Sequence, residues 1–163
     1  MFACVMADDI IIEHPNRDKA SSKLVKLLVV VFLLLSAVLV TVVTVGGWDA
    51  LAGAQILQIA YIGLYLLMAF FVARWNRGVL PVAAALAIIM VIFAAVSGPE
   101  WFARAKDGFS DPDLDANLLG TLTLLLVPVQ LLLIAFAMRG FTQAWNIEVE
   151  RLADGSTRKM PGK

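Results

Sequence analysis

Four stretches of this sequence contain almost no charged side chains, and each is long enough to cross a lipid bilayer. They cover residues 24–45, 51–73, 79–97 and 118–138, and Lys26 is the only charged residue within them. A helix of about 20 apolar residues spans the ~30 Å hydrocarbon core of a membrane. The chain of 163 residues is 61% apolar and 16% charged, whereas soluble domains are about 25% charged. We therefore predict an all-α membrane protein with four transmembrane helices.

The links between the four runs are short, with one exception. Gly46 and Gly47 lie in the first link and Gly78 lies in the second, and glycine favours tight reversals. Short links make successive helices antiparallel neighbours, so the predicted arrangement is an up-down bundle. The link between the third and fourth runs, residues 98–117, is longer and is called the outer loop here. Pro99, near its start, is expected to end the third helix.

The distribution of basic residues predicts which end of the bundle faces the cytoplasm. All but two of the 13 basic residues lie before or at the start of the first run, in the link 74–78, or in the tail. The other two, Arg104 and Lys106, lie in the outer loop among five acidic residues. Basic residues beside membrane spans favour the cytoplasmic side. We therefore predict that both termini are cytoplasmic, with an N-terminal segment (1–23), a four-span membrane domain (24–138) and a C-terminal tail (139–163).

This pattern is typical of a protein of the plasma membrane, and it suits the inner membrane of a bacterium. The lipid bilayer is thus the first expected partner. The formal net charge is zero, and no basic cluster predicts binding to nucleic acid. Translation could begin at Met1 or at Met6. In the tail, residues 146–150 alternate polar and apolar side chains, which is compatible with a short strand.

The outer loop contains four aspartates in a sequence that partly resembles a calcium-binding loop. An EF-hand loop needs oxygen ligands at positions 1, 3, 5 and 9, glycine at position 6 and an acidic residue at position 12. Neither register that we tested satisfies this pattern, because apolar residues occupy several ligand positions. A turn, with Asp115 as the N-cap of the fourth helix, fits the sequence better. The weak candidates for a cation site are Asp107, Asp111, Asp113 and Asp115.

The middle of each run is free of ionisable side chains other than tyrosine. Intramembrane Asp, Glu, Lys, Arg and His are the usual mark of proton relays and ion-coupled transport, so this absence disfavours both. His14 and Cys4 are the only histidine and cysteine, which is too few for a metal site of His and Cys ligands. No nucleotide-binding, zinc-protease or serine-hydrolase motif occurs. We therefore expect neither enzymatic activity nor a cofactor.

Uncharged polar residues in the second and fourth runs suggest a polar seam within the membrane. In the second run they fall within about 120° of one another around a helix of 100° per residue. If the two helices touch, these groups could line a path for a solute or bond one helix to the other. The candidate residues are Gln55, Gln58, Tyr61, Tyr65, Asn117, Thr121 and Gln130.

Two further features concern the packing and motion of the helices. Pro128 lies near the middle of the fourth run, where it removes one backbone hydrogen bond and could form a hinge. The third run is rich in alanine and is expected to pack centrally. The first run has few small residues, so we expect it to face lipid or a partner.

Three functional hypotheses follow from these features. The leading one is an accessory or scaffold subunit, which packs with copies of itself or in a larger membrane protein complex. The alternative is an oligomeric passive transporter of a small neutral or amphipathic solute, with the polar face of the second helix as its path. A weaker alternative is a sensor of cations or lipids built on the outer loop.

Overall fold

A computed structural model describes residues 11–51, 53–106, 112–151 and 157–159. The described chain is mostly helical. Asp107, Asp111, Cys4 and Met6 lie outside the described residues. The elements in chain order are β1 (Ile11–Glu13), α1 (Pro15–Asp18), α2 (Ala20–Gly46), a 3₁₀ turn (Trp48–Leu51), α3 (Gln55–Ala73), α4 (Val79–Arg104), α5 (Ala116–Thr142), β2 (Val149–Arg151) and β3 (Thr157–Lys159).

Four of these helices, α2 to α5, are long and apolar enough to cross a membrane. They correspond to the four runs of the sequence and confirm the prediction of four long apolar helices. The expectation for Pro99 was wrong, because α4 continues through it to Arg104. The added turns bury Trp101 against Val43 and Leu119. We infer that this packing offsets the backbone hydrogen bond that proline cannot make.

The helices pack in an order that is not the order of the chain. Helix α2 contacts α3 and α5, α4 packs mainly on α5, and the contacts between α3 and α4 are few. In the most apolar 18-residue stretch of each helix, 44% of α2 is buried within the bundle, whereas 33% of α4 is. The first run was expected to face lipid or a partner, and α2 does expose side chains such as Leu27 and Val38, but another face of the helix lies in the core. Val29, Leu33 and Val40 fill the core from α2 together with the small residues Ser36 and Ala37, so branched and small side chains share this interface.

Contacts at the helix ends show which ends lie together. The Lys26 ammonium, near the start of α2, donates to the Ala73 carbonyl at the end of α3 over 3.3 Å. The Leu114 amide, just before α5, donates to the Gly46 carbonyl at the end of α2 over 3.0 Å. At the opposite end of α5, Arg77 Nε donates to the Phe141 carbonyl over 2.7 Å. In each of these contacts, the beginning of one helix lies beside the end of another.

A small antiparallel sheet joins the N-terminal and C-terminal segments. Strand β2 lies between β1 and β3, with Ile12 opposite Glu150 and Glu150 opposite Arg158. The alternating residues 146–150 are thus partly in a strand. The sheet therefore brings the two terminal segments together at one end of the bundle.

Trp145 holds the terminal segments against the helices. Its side chain is fully buried and meets the Trp75 ring edge-on at 5.2 Å between centroids. Its carbonyl accepts a hydrogen bond of 2.9 Å from Arg17 Nε, and the Ala144 carbonyl accepts one of 3.1 Å from the Asn16 amide. The indole ring and these two bonds fix the N-terminal segment to the end of α5.

Candidate functional site

A chain of hydrogen bonds crosses the centre of the bundle. The Tyr65 hydroxyl on α3 donates to Gln130 Oε1 on α5 over 3.2 Å. Gln130 Nε2 then donates to Ser36 Oγ on α2 over 2.8 Å, and the Ser36 hydroxyl donates to the Phe32 carbonyl over 2.7 Å. We call Tyr65, Gln130 and Ser36 the polar triad. Its three side chains are fully buried, and each lies close to the middle of its helix.

The geometry of the polar triad favours a structural role. Every hydroxyl donates within the triad or to its own helix, and the Gln130 amide joins the other two helices in opposite directions. Such bonds contribute about 0.6 kcal/mol each on average within a membrane. The triad therefore fixes the rotation of α2, α3 and α5 about their axes, because each of these helices must keep its polar side chain facing the centre of the bundle.

The sequence-predicted seam is only partly assembled. Tyr61 is buried beside Tyr65, at 5.9 Å between ring centroids. Gln55 lies at the start of α3, where its amide donates to the Trp48 carbonyl over 2.9 Å. Asn117 and Thr121 are exposed on the surface of α5, so the structure does not bring them to the triad. The buried seam contains Tyr61, Tyr65 and Gln130.

Ser36 is the member of the triad that the sequence analysis did not include. A signal for it exists in the sequence, because Val29, Leu33, Ser36 and Val40 follow a helical spacing and all are buried. A serine inside such a stripe can donate to its own helix, as Ser36 does, and its oxygen can still accept a bond from a neighbouring helix. The partner itself could not be read from the sequence, since the rotation of the neighbouring helix was not known.

A cavity of about 50 Å³ lies among the four helices, in the half of the bundle nearer the outer loop. Three polar side chains line it, Gln58 on α3, Ser97 on α4 and Thr123 on α5. The Ser97 and Thr123 hydroxyls each donate to their own helix, over 2.7 Å to the Phe93 and Leu119 carbonyls. The other lining residues are apolar: Val40, Val43, Leu51, Met90, Phe93, Ala94, Trp101 and Leu126.

Pro128 is an interior residue of helix α5, and its side chain is exposed on the surface of the bundle. Its missing N–H leaves the Leu124 carbonyl without its usual helical partner. The Leu124 side chain packs against Gly98 of α4, so closely that a Cβ at Gly98 would lie 2.5 Å from Leu124 Cδ2. The proline thus lies one turn from a close approach between α4 and α5. Its role as a hinge stays a prediction.

Asp115 caps helix α5. Its Oδ1 accepts hydrogen bonds from the Asn117 amide over 2.8 Å and from the Leu118 amide over 3.1 Å, which confirms the predicted N-cap. Asp113 is exposed. Among the residues that the structure describes, no three His, Cys, Asp or Glu side chains form a group that could hold a metal ion. The other two candidates for a cation site, Asp107 and Asp111, lie outside those residues, so the cation site stays a prediction.

Loss of this cap is expected to weaken the N-terminal end of α5. Asp115→Ala leaves two amides without their acceptor and should lower the free energy of unfolding by about 1 kcal/mol. Asp115→Asn retains a side-chain oxygen that can accept the same bonds, so it should cost clearly less. Thermal unfolding of the purified protein in detergent would measure both variants. Equal losses in the two variants would contradict a capping role and point to the negative charge.

The fold and the site define the class of protein. The four apolar helices and the buried polar triad indicate an α-helical, membrane-embedded protein. No protein-family model, curated protein or solved structure matches the chain.

Proposed function

We propose that this chain is an accessory or scaffold subunit of a membrane protein complex, without enzymatic activity of its own. The observation that carries the proposal is the polar triad. In the described part of the chain, the polar side chains that are fully buried near the middle of a long helix are those of the triad. They form hydrogen bonds with one another. Polar groups used in this way hold helices in place, and none of them is an acid, base or ion ligand of the kind that pumps use.

The orientation that we propose has an up-down bundle with both termini in the cytoplasm. The end of the bundle beside the sheet carries Lys23, Lys26, Arg74, Arg77 and Arg139. Such an excess of basic residues favours the cytoplasmic face of a bacterial plasma membrane. The opposite end carries Asp113 and Asp115, and therefore faces outward in this proposal.

Helix α3 supplies the face that we propose contacts a partner. In its most apolar window it is 28% buried, the smallest share among the four long helices of the described chain. Apart from its chain neighbours and the nearby backbone of its own helix, a Cβ added at Gly63 would have no atom within 4 Å. Small residues on exposed membrane helices let a second helix approach closely. The partner in this proposal is a helix of a larger complex.

Purification from native membranes in a mild detergent, followed by mass spectrometry, tests this role. We expect a partner protein in fixed stoichiometry. Gly63→Leu should release it, because the added side chain fits the isolated chain but blocks the approach of a second helix. Ala135→Leu, on the exposed side of α5, is the matched control and should retain the partner. A clean homo-oligomer, or an isolated monomer, would contradict the accessory role.

A second candidate function is favoured by the cavity. An oligomeric passive transporter of a small neutral or amphipathic solute would use the polar lining at Gln58 together with Pro128. In that case Gln58→Leu and Pro128→Ala should abolish solute uptake while the protein still inserts in the membrane. The accessory role predicts that both variants leave solute flux in liposomes unchanged.

The weaker hypothesis, a cation sensor, has a simple test of its own. Calcium should raise the thermal unfolding temperature of a sensor, and Asp111→Asn should remove that effect. A melting temperature that is independent of calcium would contradict it.

A further inference from the structure

The residues that line the cavity differ in their exposure at the surface of the bundle. The lining residues from α2 and α5 are buried, among them Val40 and Leu126. The lining residues that are partly exposed are Leu51, Gln58, Phe93 and Ser97, which lie on α3, on the turn before it, or on α4. Since α3 and α4 also make few contacts with each other, the cavity opens between these two helices, toward the bilayer.

The polar side chains that line the cavity are neutral, and one of them is an amide without a hydrogen-bond partner among the described residues. No described residue donates to or accepts from the side chain of Gln58. The oxygens of Ser97 and Thr123 retain lone pairs, because the hydroxyls act as donors to their own helices. No charged side chain lines the cavity. It therefore suits a neutral group with a hydrogen-bond donor or acceptor, since an unpaired charge would carry a large desolvation cost.

The volume limits what can enter. An apolar protein cavity of about 150 Å³ accommodates benzene, with its six carbon atoms. By the same ratio, the 50 Å³ of this cavity accommodates roughly two non-hydrogen atoms. This is the size of a terminal hydroxymethyl or carbonyl group, and the rest of any larger molecule must lie outside the cavity. The Phe93 side chain, at the edge of the cavity, is 45% exposed, so the apolar part of a larger molecule would lie against this ring.

We propose that the cavity and the crevice between α3 and α4 form a binding site for a neutral amphiphile of the bilayer. Its hydroxyl or carbonyl group lies in the cavity and bonds with the Gln58 amide, and its apolar tail lies along α3 and α4. The Tyr61 and Phe93 rings, edge-on at 6.4 Å, span the crevice on the side of the membrane centre. This site does not depend on the accessory role, and binding alone would not make the chain a transporter.

Photolabelling with a diazirine derivative of 1-octanol tests the site. The full chain, in liposomes of phosphatidylcholine, is irradiated with increasing amounts of the probe, and peptide mass spectrometry locates the labels. We expect saturable labelling that concentrates on α3 and α4 near Gln58 and Ser97. Unlabelled 1-octanol should compete, and n-octane should compete roughly fivefold less well, because it lacks one hydrogen bond.

Two variants make the test specific for the Gln58 amide. Gln58→Leu should weaken saturable labelling by roughly fivefold, again the effect of one hydrogen bond. Gln55→Leu is the matched control on the same helix, because Gln55 does not line the cavity, and it should leave labelling unchanged. Equal competition by octanol and octane, even labelling of all exposed helix faces, or unchanged labelling of the Gln58 variant would overturn the proposal.

Discussion

Gln130→Leu is expected to lower the free energy of unfolding by about 2 kcal/mol. The substitution removes both bonds of the central amide, to Tyr65 and to Ser36. It leaves two hydroxyl groups in the core, each of which loses one hydrogen bond. Bonds of this kind contribute about 0.6 kcal/mol on average and up to about 1.7 kcal/mol within membranes. Equilibrium unfolding of the protein in mixed micelles, with increasing sodium dodecyl sulfate, measures the change.

Two comparisons separate the triad from a general effect of removing glutamine. Gln55→Leu removes one bond near the helix end, where water can replace it, and should cost less than 0.5 kcal/mol on the scale of exposed substitutions. Tyr65→Phe should destabilise the native protein but have much less effect in the Gln130→Leu background. Full additivity of these two substitutions would show that the Tyr65–Gln130 bond contributes nothing.

Trp145→Ala is expected to cost about 3 kcal/mol. Truncating a buried tryptophan leaves a large void and typically costs roughly 3–5 kcal/mol in soluble cores, and Trp145 lies at the end of the bundle, where water can reach the void. A Cβ at Gly140 would lie 3.1 Å from the Trp145 ring and 3.2 Å from Leu80. The loss of this ring therefore removes the contacts of the C-terminal segment with α5 and with Trp75.

The same variant should also release the N-terminal segment. Arg17 and Asn16 bond with the backbone of residues 144 and 145, which the indole ring holds in position. Limited trypsin digestion at Arg17 should be faster in Trp145→Ala than in the native chain. Trp48→Ala is the control, because Trp48 is 43% exposed at the opposite end of the bundle. Equal stability losses in the two tryptophan variants, or unchanged cleavage at Arg17, would contradict this account of the end of the bundle beside the sheet.

The sequence predicts the four helices well because the bilayer imposes their length. An uncharged run of about 20 residues has few alternatives in a chain this apolar. The N-cap at Asp115 was equally predictable from the sequence, because it depends only on the residues that follow it. Pro99 shows the limit of local rules, since the helix continues where the packing of Trp101 makes the continuation favourable.

The arrangement of the helices was not readable from the sequence. Lipid is as apolar as a leucine side chain, so the pattern of hydrophobic residues does not separate the core face from the lipid face. The scarcity of small residues in the first run led to the expectation that it faces lipid or a partner, whereas α2 also contributes a large part of the core. Polar residues indicate the inner face more reliably, as Tyr65 and Gln130 show. Asn117 and Thr121 do not, because they lie at the helix end, where polar residues are also tolerated at the surface.

The account depends most on the orientation of the four helices in the membrane, and single-cysteine labelling tests it directly. In a Cys4→Ser background, Asp113→Cys and Asn76→Cys place one thiol at each end of the bundle. A membrane-impermeant maleimide applied to intact cells is expected to label Asp113→Cys, and to label Asn76→Cys only after the membrane is permeabilised. Labelling of Asn76→Cys in intact cells, with Asp113→Cys protected, would reverse the proposed orientation. Equal labelling of both would contradict a membrane-spanning bundle.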